Sequence, residues 1–203
     1  MSTSTENVEI ESLPEEDFQK AKRKKVAKPL LWFGMISIVM LFAGLTSAVI
    51  VRKGDGNWTS FELPDIFLFS TIALALSSVT LWIAKWGAKR DQQGFVKAGL
   101  STTFALGLAF IYMQLEGYEQ LVEMGIFFTG AEQTASGSFL YIISALHIAH
   151  LVGGIIALIV TMINGFLGHY KSKNLLGLQL CSIYWHFMDA MWIYLYIFFT
   201  IVI

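Results

Sequence analysis

The sequence predicts an all-α, polytopic membrane protein: a bundle of five transmembrane helices, with the N-terminus cytoplasmic and the C-terminus outside. Three observations predict it. Five apolar stretches are each long enough to cross a bilayer, which takes about 20 mostly apolar residues at about 1.5 Å rise each. Lys and Arg residues collect on alternate sides of those stretches, and positive residues stay cytoplasmic. The composition, 55% hydrophobic and 14% charged, is too apolar for an ordinary soluble domain.

Residues 1–28 read as a polar cytoplasmic tail and residues 29–203 as the membrane domain. The tail opens on an acidic run (Glu6, Glu9, Glu11, Glu15, Glu16, Asp17) and lacks the short apolar core of a cleaved signal peptide. It closes on Lys20, Lys22, Arg23, Lys24, Lys25 and Lys28. These are a topology signal, and a cluster of this kind also attracts anionic lipid. The first span is Leu30–Val51. The connection after it has Gly54, Gly56 and Pro64 as turn markers. Trp58 and Phe61 there suit the headgroup layer, as do Trp32, Trp82 and Trp86 near other span ends.

The second span is Ile66–Trp86 and the third Ala98–Leu115, with Lys85, Lys89, Arg90 and Lys97 around the connection between them. The next connection, Gly117 to Ser136, carries Glu119, Glu123 and Glu132 with no Lys or Arg, which fits the outer face. The fourth span is Gly137–Leu167 and the fifth Leu178–Ile203, joined by a turn with Lys171 and Lys173. Among the basic residues, only Arg52 and Lys53 fall on the outer side. The net charge of −1 hides this segregation. A single cysteine, Cys181, rules out an internal disulfide and reads as a small apolar residue near a helix start. There is no Gly-rich phosphate loop, nucleophile triad, CxxC pair or nucleic-acid-binding feature.

Ionisable groups inside a span are costly, so each one is a candidate functional residue. The fourth span has His147 and His150; the fifth has His186 and Asp189. Each pair is one helical turn apart and shares a helix face. The two spans are joined by a short turn, so they are expected to be antiparallel neighbours whose pairs face each other. Three readings stand. One is a haem or metal site, since three imidazoles and a carboxylate suit iron, copper or zinc. One is a proton relay. The third is structural, with the groups bonded across helices as a polar cluster, because unmatched polar groups in hydrocarbon must find partners. Three further features call for bland readings. Gly153-Gly154 permits close helix approach, Ser77 and Ser78 bond back to their own helix, and Gln114 with Glu116 forms a solvated cap on the third span.

The same residues carry a family resemblance. Ser138-Phe-Leu-Tyr-Ile-Ile-Ser-Ala-Leu-His147-Ile-Ala-His150-Leu-Val-Gly-Gly154 resembles the "GS-F…HGLHV…G" helix of subunit III of the haem-copper oxidases. Tyr184-Trp185-His186-Phe187-Met188-Asp189-Ala-Met-Trp192 is similar to that family's last-helix signature, "YWHFVDVVW". Order and spacing agree, and five spans match the short form of the subunit. Fainter echoes lie at Leu63-Pro64, Ser70-Thr71, Ser77-Ser78, Leu106-Gly107 and Gln114 with Tyr118. The sequence departs from the pattern where many members have Ser-Glu, since Ser37 is followed by Ile38. It departs again where "QxxEY" reads Gln114-Leu-Glu-Gly117-Tyr118. Both family carboxylates are missing at those positions.

The resemblance implies an accessory subunit with no catalytic residue, haem or copper of its own. Such a subunit packs against oxidase subunit I in a complex that also holds subunit II, binds phospholipid, and sits in a bacterial inner membrane. The haem and copper are then in the partner subunits, which reduce oxygen to water with electrons from cytochrome c and pump protons. A cytochrome bc-type or equivalent complex is a further candidate partner, in a supercomplex. By the same resemblance His147, His150, His186 and Asp189 are a structural cluster, and Gly154, Tyr184, Trp185 and Trp192 are packing residues. Quinol oxidases and nitric-oxide reductase accessory proteins share the fold. The alternative is an independent membrane redox protein with haem or metal at His147, His150 and His186.

Overall fold

The computed structural model describes residues 15–54, 56, 58–130, 134–170 and 175–203, and of residues 15–24 the backbone alone. The acidic positions Glu6, Glu9, Glu11 and Glu132 and the basic positions Lys171 and Lys173 lie outside the described residues. Five helices follow in order: α1 (Glu15–Gly54), α2 (Ile66–Lys89), α3 (Gln93–Glu123), α4 (Ala135–Phe166) and α5 (Leu176–Val202). Each is long and apolar enough to cross a membrane.

Two helices outrun their apolar stretches. Helix α1 begins at Glu15, well before the expected start at Leu30. Pro29 lies inside the helix, where it gives up one backbone donor. Helix α3 extends beyond Ala98–Leu115 at both ends, to Gln93 and Glu123. Backbone hydrogen bonding does not depend on apolar side chains, so the polar ends remain helical as they leave the hydrocarbon.

The chain divides into two compact units, with the boundary after Ile38, inside α1. In the second unit, α2 packs on α3, α3 on α4, α4 on α5 and α5 back on α2, a closed ring of four helices. The expected pairing of α4 with α5 is present. Leu74, Leu81, Phe110, Leu140, Ile143, Leu151, Leu158, Trp185 and Trp192 are fully buried in this ring. A close backbone approach is at Gly99 of α3, where a Cβ would lie 2.7 Å from Ala84 Cβ and 2.8 Å from the Thr80 carbonyl oxygen of α2.

Three helices end in the same way. After α4, Gly168 takes a left-handed φ of 72°, its N–H bonds to Gly165 O (3.1 Å), and the His169 N–H bonds to Asn164 O (3.1 Å). This paired closure satisfies the last carbonyls of a helix. Gly125 repeats it after α3, with φ 78°. After α2 the left-handed position is Asp91, with φ 58°. The guanidinium of Arg90 beside it stacks 3.9 Å over the Trp86 ring. At the start of α4, Thr134 caps the helix by accepting from the Gly137 N–H at 3.2 Å.

Candidate functional site

The candidate site is the set of polar residues that α2 presents to its neighbours. A hydroxyl can donate one bond and accept others, whereas an indole N–H can only donate. The α2 hydroxyls use both capacities. Thr71 donates to Phe67 O (2.7 Å) and accepts from Trp192 Nε1 (3.0 Å). Ser77 donates to Leu74 O (2.7 Å) and accepts from Trp185 Nε1 (2.8 Å). Ser70 donates to Phe67 O (2.8 Å) and accepts from Gln114 Nε2 of α3 (2.8 Å). Rising numbers on α2 meet falling numbers on α5, as an antiparallel pair requires.

Ser78 makes the most polar contact of the row. Its Oγ bonds to Asp189 Oδ2 and lies 2.9 Å from His186 Nδ1. His186 and Asp189 are therefore brought together, but by a serine on α2 and not by an imidazole on α4. The expectation that Ser78 bonds only to its own helix is corrected, because its position on α2 faces α5. Ser77 does bond back, and in addition receives Trp185. The solvated cap at Gln114 is corrected too. α3 runs on to Glu123, which leaves Gln114 fully buried inside the bundle.

His147 and His150 do not join this pair. The Nδ1 of His150 donates to Leu146 O of its own helix at 2.7 Å, as a carbonyl can only accept. Its backbone carbonyl receives the Tyr184 hydroxyl of α5 at 2.9 Å. His147 is fully buried, and its ring centre lies 5.0 Å from that of Trp192, 6.1 Å from Phe110 and 6.3 Å from Phe42. Neither of its nitrogens has a hydrogen-bond partner among the described residues. The facing of the two pairs is thus corrected. The helices are neighbours, but the rotation of α4 points His147 into an aromatic wall. Cys181 is buried, as a small apolar residue would be.

The packing residues sit where close approach is needed. A Cβ on Gly154 would meet Tyr184 Cε1 at 3.1 Å, whereas one on Gly153 would meet nothing nearer than 3.9 Å. A Cβ on Gly107 would come within 2.8 Å of Trp185 Cη2. Trp192 stacks edge-on against Phe110, with ring centres 5.1 Å apart.

This geometry does not gather His147, His150 and His186 around one point. Among the described residues no three His, Cys, Asp or Glu side chains converge to hold a metal. His147, His150 and His186 point to an aromatic wall, a backbone carbonyl and a serine in turn. What the arrangement can do is join helices, by bonds that run α2 to α5, α2 to α3 and α5 to α4. The row of α2 hydroxyls as the common acceptor was missed in the sequence. Its signal was present, in hydroxyls about two turns apart on α2, Thr71 and Ser77, against Trp185 and Trp192 two turns apart on α5.

Residues 30–202 match the family model of cytochrome c oxidase subunit III. The chain is 30% identical to cytochrome bo(3) ubiquinol oxidase subunit 3 of Pseudomonas aeruginosa, over 80% of this chain and 78% of that protein. It is 30% identical to cytochrome c oxidase subunit 3 of Corynebacterium diphtheriae, over 78% of this chain and 80% of that protein. It is 25% identical to a probable quinol oxidase subunit 3 of Staphylococcus saprophyticus, over 88% and 90%. With its five membrane-spanning helices and both signature helices in place, the chain belongs to the subunit III family of the haem-copper oxidases.

Proposed function

We propose that the chain is an accessory subunit of a bacterial respiratory terminal oxidase. Its role is to stabilise the large catalytic subunit I and carry phospholipid, while the haem and copper belong to its partners. The observation that carries this reading is where the intramembrane polar groups go. Ser78, His186, Asp189, Trp185 and Trp192 serve bonds between helices. The lipid role is supported by a groove of about 560 Å³ lined by Arg52, Phe128, Ser138, Phe139 and Ile142. Its one cation suits a phosphate and its apolar wall suits an acyl chain. The topology follows the basic residues, with the N-terminus cytoplasmic and this groove on the outer side.

For the electron donor of the complex we propose cytochrome c, a reading supported by the name of the Corynebacterium diphtheriae relative, with oxygen reduced to water. Subunit II is the further member of the complex. Isolation in mild detergent, with mass spectrometry and oxygen uptake, tests the reading. The expected result is co-purification with a large haem- and copper-containing subunit, phospholipid, and oxygen uptake driven by reduced cytochrome c. Uptake with ubiquinol alone would reassign the donor. Isolation of this chain free of any larger subunit would overturn the reading.

A further inference from the structure

The first helix is attached to the bundle differently from the others. From Val39 on, α1 belongs to the same compact unit as the ring. Yet the close backbone packing that closes the ring does not reach it. Among the described residues α1 pairs with none of the other four helices in that way. Between Val39 and Gly54 the buried residues are Phe42, Thr46 and Val49, a narrow stripe at helical spacing. Membrane helices associate through tight packing and interhelical hydrogen bonds, and α1 has little of the first.

Long side chains reach across instead. Tyr194 of α5 donates to the Thr46 hydroxyl at 3.1 Å. At the outer end, Lys53 Nζ and Trp58 Nε1 both donate to the carbonyl oxygen of Val202, at 2.6 and 3.2 Å. Phe42 is fully buried, and its ring centre lies 5.7 Å from that of His150 and 6.3 Å from that of His147. The two histidines are one turn apart on α4, so one phenyl ring sits against both. Phe110 and Trp192 also border His147, with ring centres at 6.1 and 5.0 Å. Of these neighbours Phe42 alone comes from α1. Withdrawing α1 would open that side of His147, while the bonds of α2 to α3 and α5 need nothing from α1.

We propose that α1 is a latched cover: Phe42 held against His147 and His150 is its catch, and α1 parts from a ring that stays folded, uncovering His147. Opening short of global unfolding is what an element with few buried contacts undergoes. The two histidines of α4 thereby gain a part that the polar row of α2 does not give them, which is to seat α1.

The test uses the full chain with the subunits that accompany it, in mild detergent, with Cys181→Ser removing the native thiol. Val49→Cys puts a reporter on the buried stripe of α1, and Val96→Cys puts one in the ring; both valines are buried near a helix end. Labelling by N-ethylmaleimide should be about tenfold faster at position 49 than at position 96. Phe42→Ala should speed labelling at position 49 by about another tenfold and leave position 96 unchanged, since truncating a buried ring loosens the contact it makes. His147→Ala should act like Phe42→Ala, whereas His147→Phe, which keeps a ring in the seat, should not. Equal rates at the two positions without any core substitution would mean one cooperative bundle and would overturn the latch. Phe42→Ala speeding both positions alike or neither, or His147→Phe releasing α1 as fully as His147→Ala, would overturn it too.

Discussion

Replacing Ser78 by Ala removes a hydroxyl that serves two side chains of α5, and its cost can be worked from that. Ser78 bonds to His186 Nδ1 and to Asp189 Oδ2. Interhelical bonds of this kind are each worth about 0.6–1.7 kcal/mol in membranes, so two lost bonds predict a loss of about 1–3 kcal/mol. The loss falls toward the upper end because the other Asp189 oxygen, Oδ1, is buried with no partner among the described residues. The carboxylate would then have none at either oxygen. Asp189→Leu should cost a similar amount, by orphaning Ser78, and Asp189→Asn clearly less, because it keeps the shape and an acceptor. The double variant Ser78→Ala/Asp189→Leu should cost less than the two single losses together, by about 0.5–3 kcal/mol for directly bonded groups. Equilibrium unfolding in mixed micelles of dodecyl maltoside and sodium dodecyl sulfate reads all four free energies. Additive single losses, or a Ser78→Ala change within about 0.5 kcal/mol of zero, the range of a substitution that touches no such feature, would refute the reasoning.

Gly99→Ala should destabilise the α2–α3 contact by about 1–3 kcal/mol, because its Cβ would press on Ala84 and on a backbone carbonyl that cannot move aside. Gly153→Ala, with nothing nearer than 3.9 Å to its Cβ, should be neutral or gain up to about 1 kcal/mol from helix propensity in the same unfolding assay. A cysteine in place of Lys28 should react with an impermeant maleimide only from the cytoplasmic side and one in place of Glu123 only from outside; labelling of position 123 from the cytoplasm would contradict the topology. Arg52→Gln should lower the phospholipid retained by the purified complex while leaving its subunit composition intact, as read by lipid mass spectrometry; unchanged lipid would remove the groove from consideration.

The features legible in the sequence are those that hydropathy and spacing encode. Each of the five spans is a continuous apolar run, so the helices were placed to within a few residues at α2 and α5. The ends of α1 and α3 were not, since Glu15 and Glu123 are as helical as the apolar residues between them and nothing in hydropathy marks that. The pairing of His186 and Asp189 on one face followed from helical spacing. Their partner did not. Whether α5 turns that face to α2 or to α4 depends on the rotation of each helix in the bundle, which Gly107 under Trp185 and Gly154 under Tyr184 help to set. The same rotation turns His147 toward Phe110 and Trp192 rather than toward a polar group. A histidine read from spacing alone carries no record of which neighbour it meets.

The most direct measurement is the haem and copper content of the purified complex before and after this chain is stripped away with detergent. The proposed function has every redox centre in the partners, and His147, His150 and His186 are turned to three different surroundings. Haem and copper should remain in full with the large subunits, and the released chain should be colourless in the visible range. Haem or metal leaving in stoichiometric amount with this chain, and lost from it on replacing His147, His150 or His186, would contradict the account.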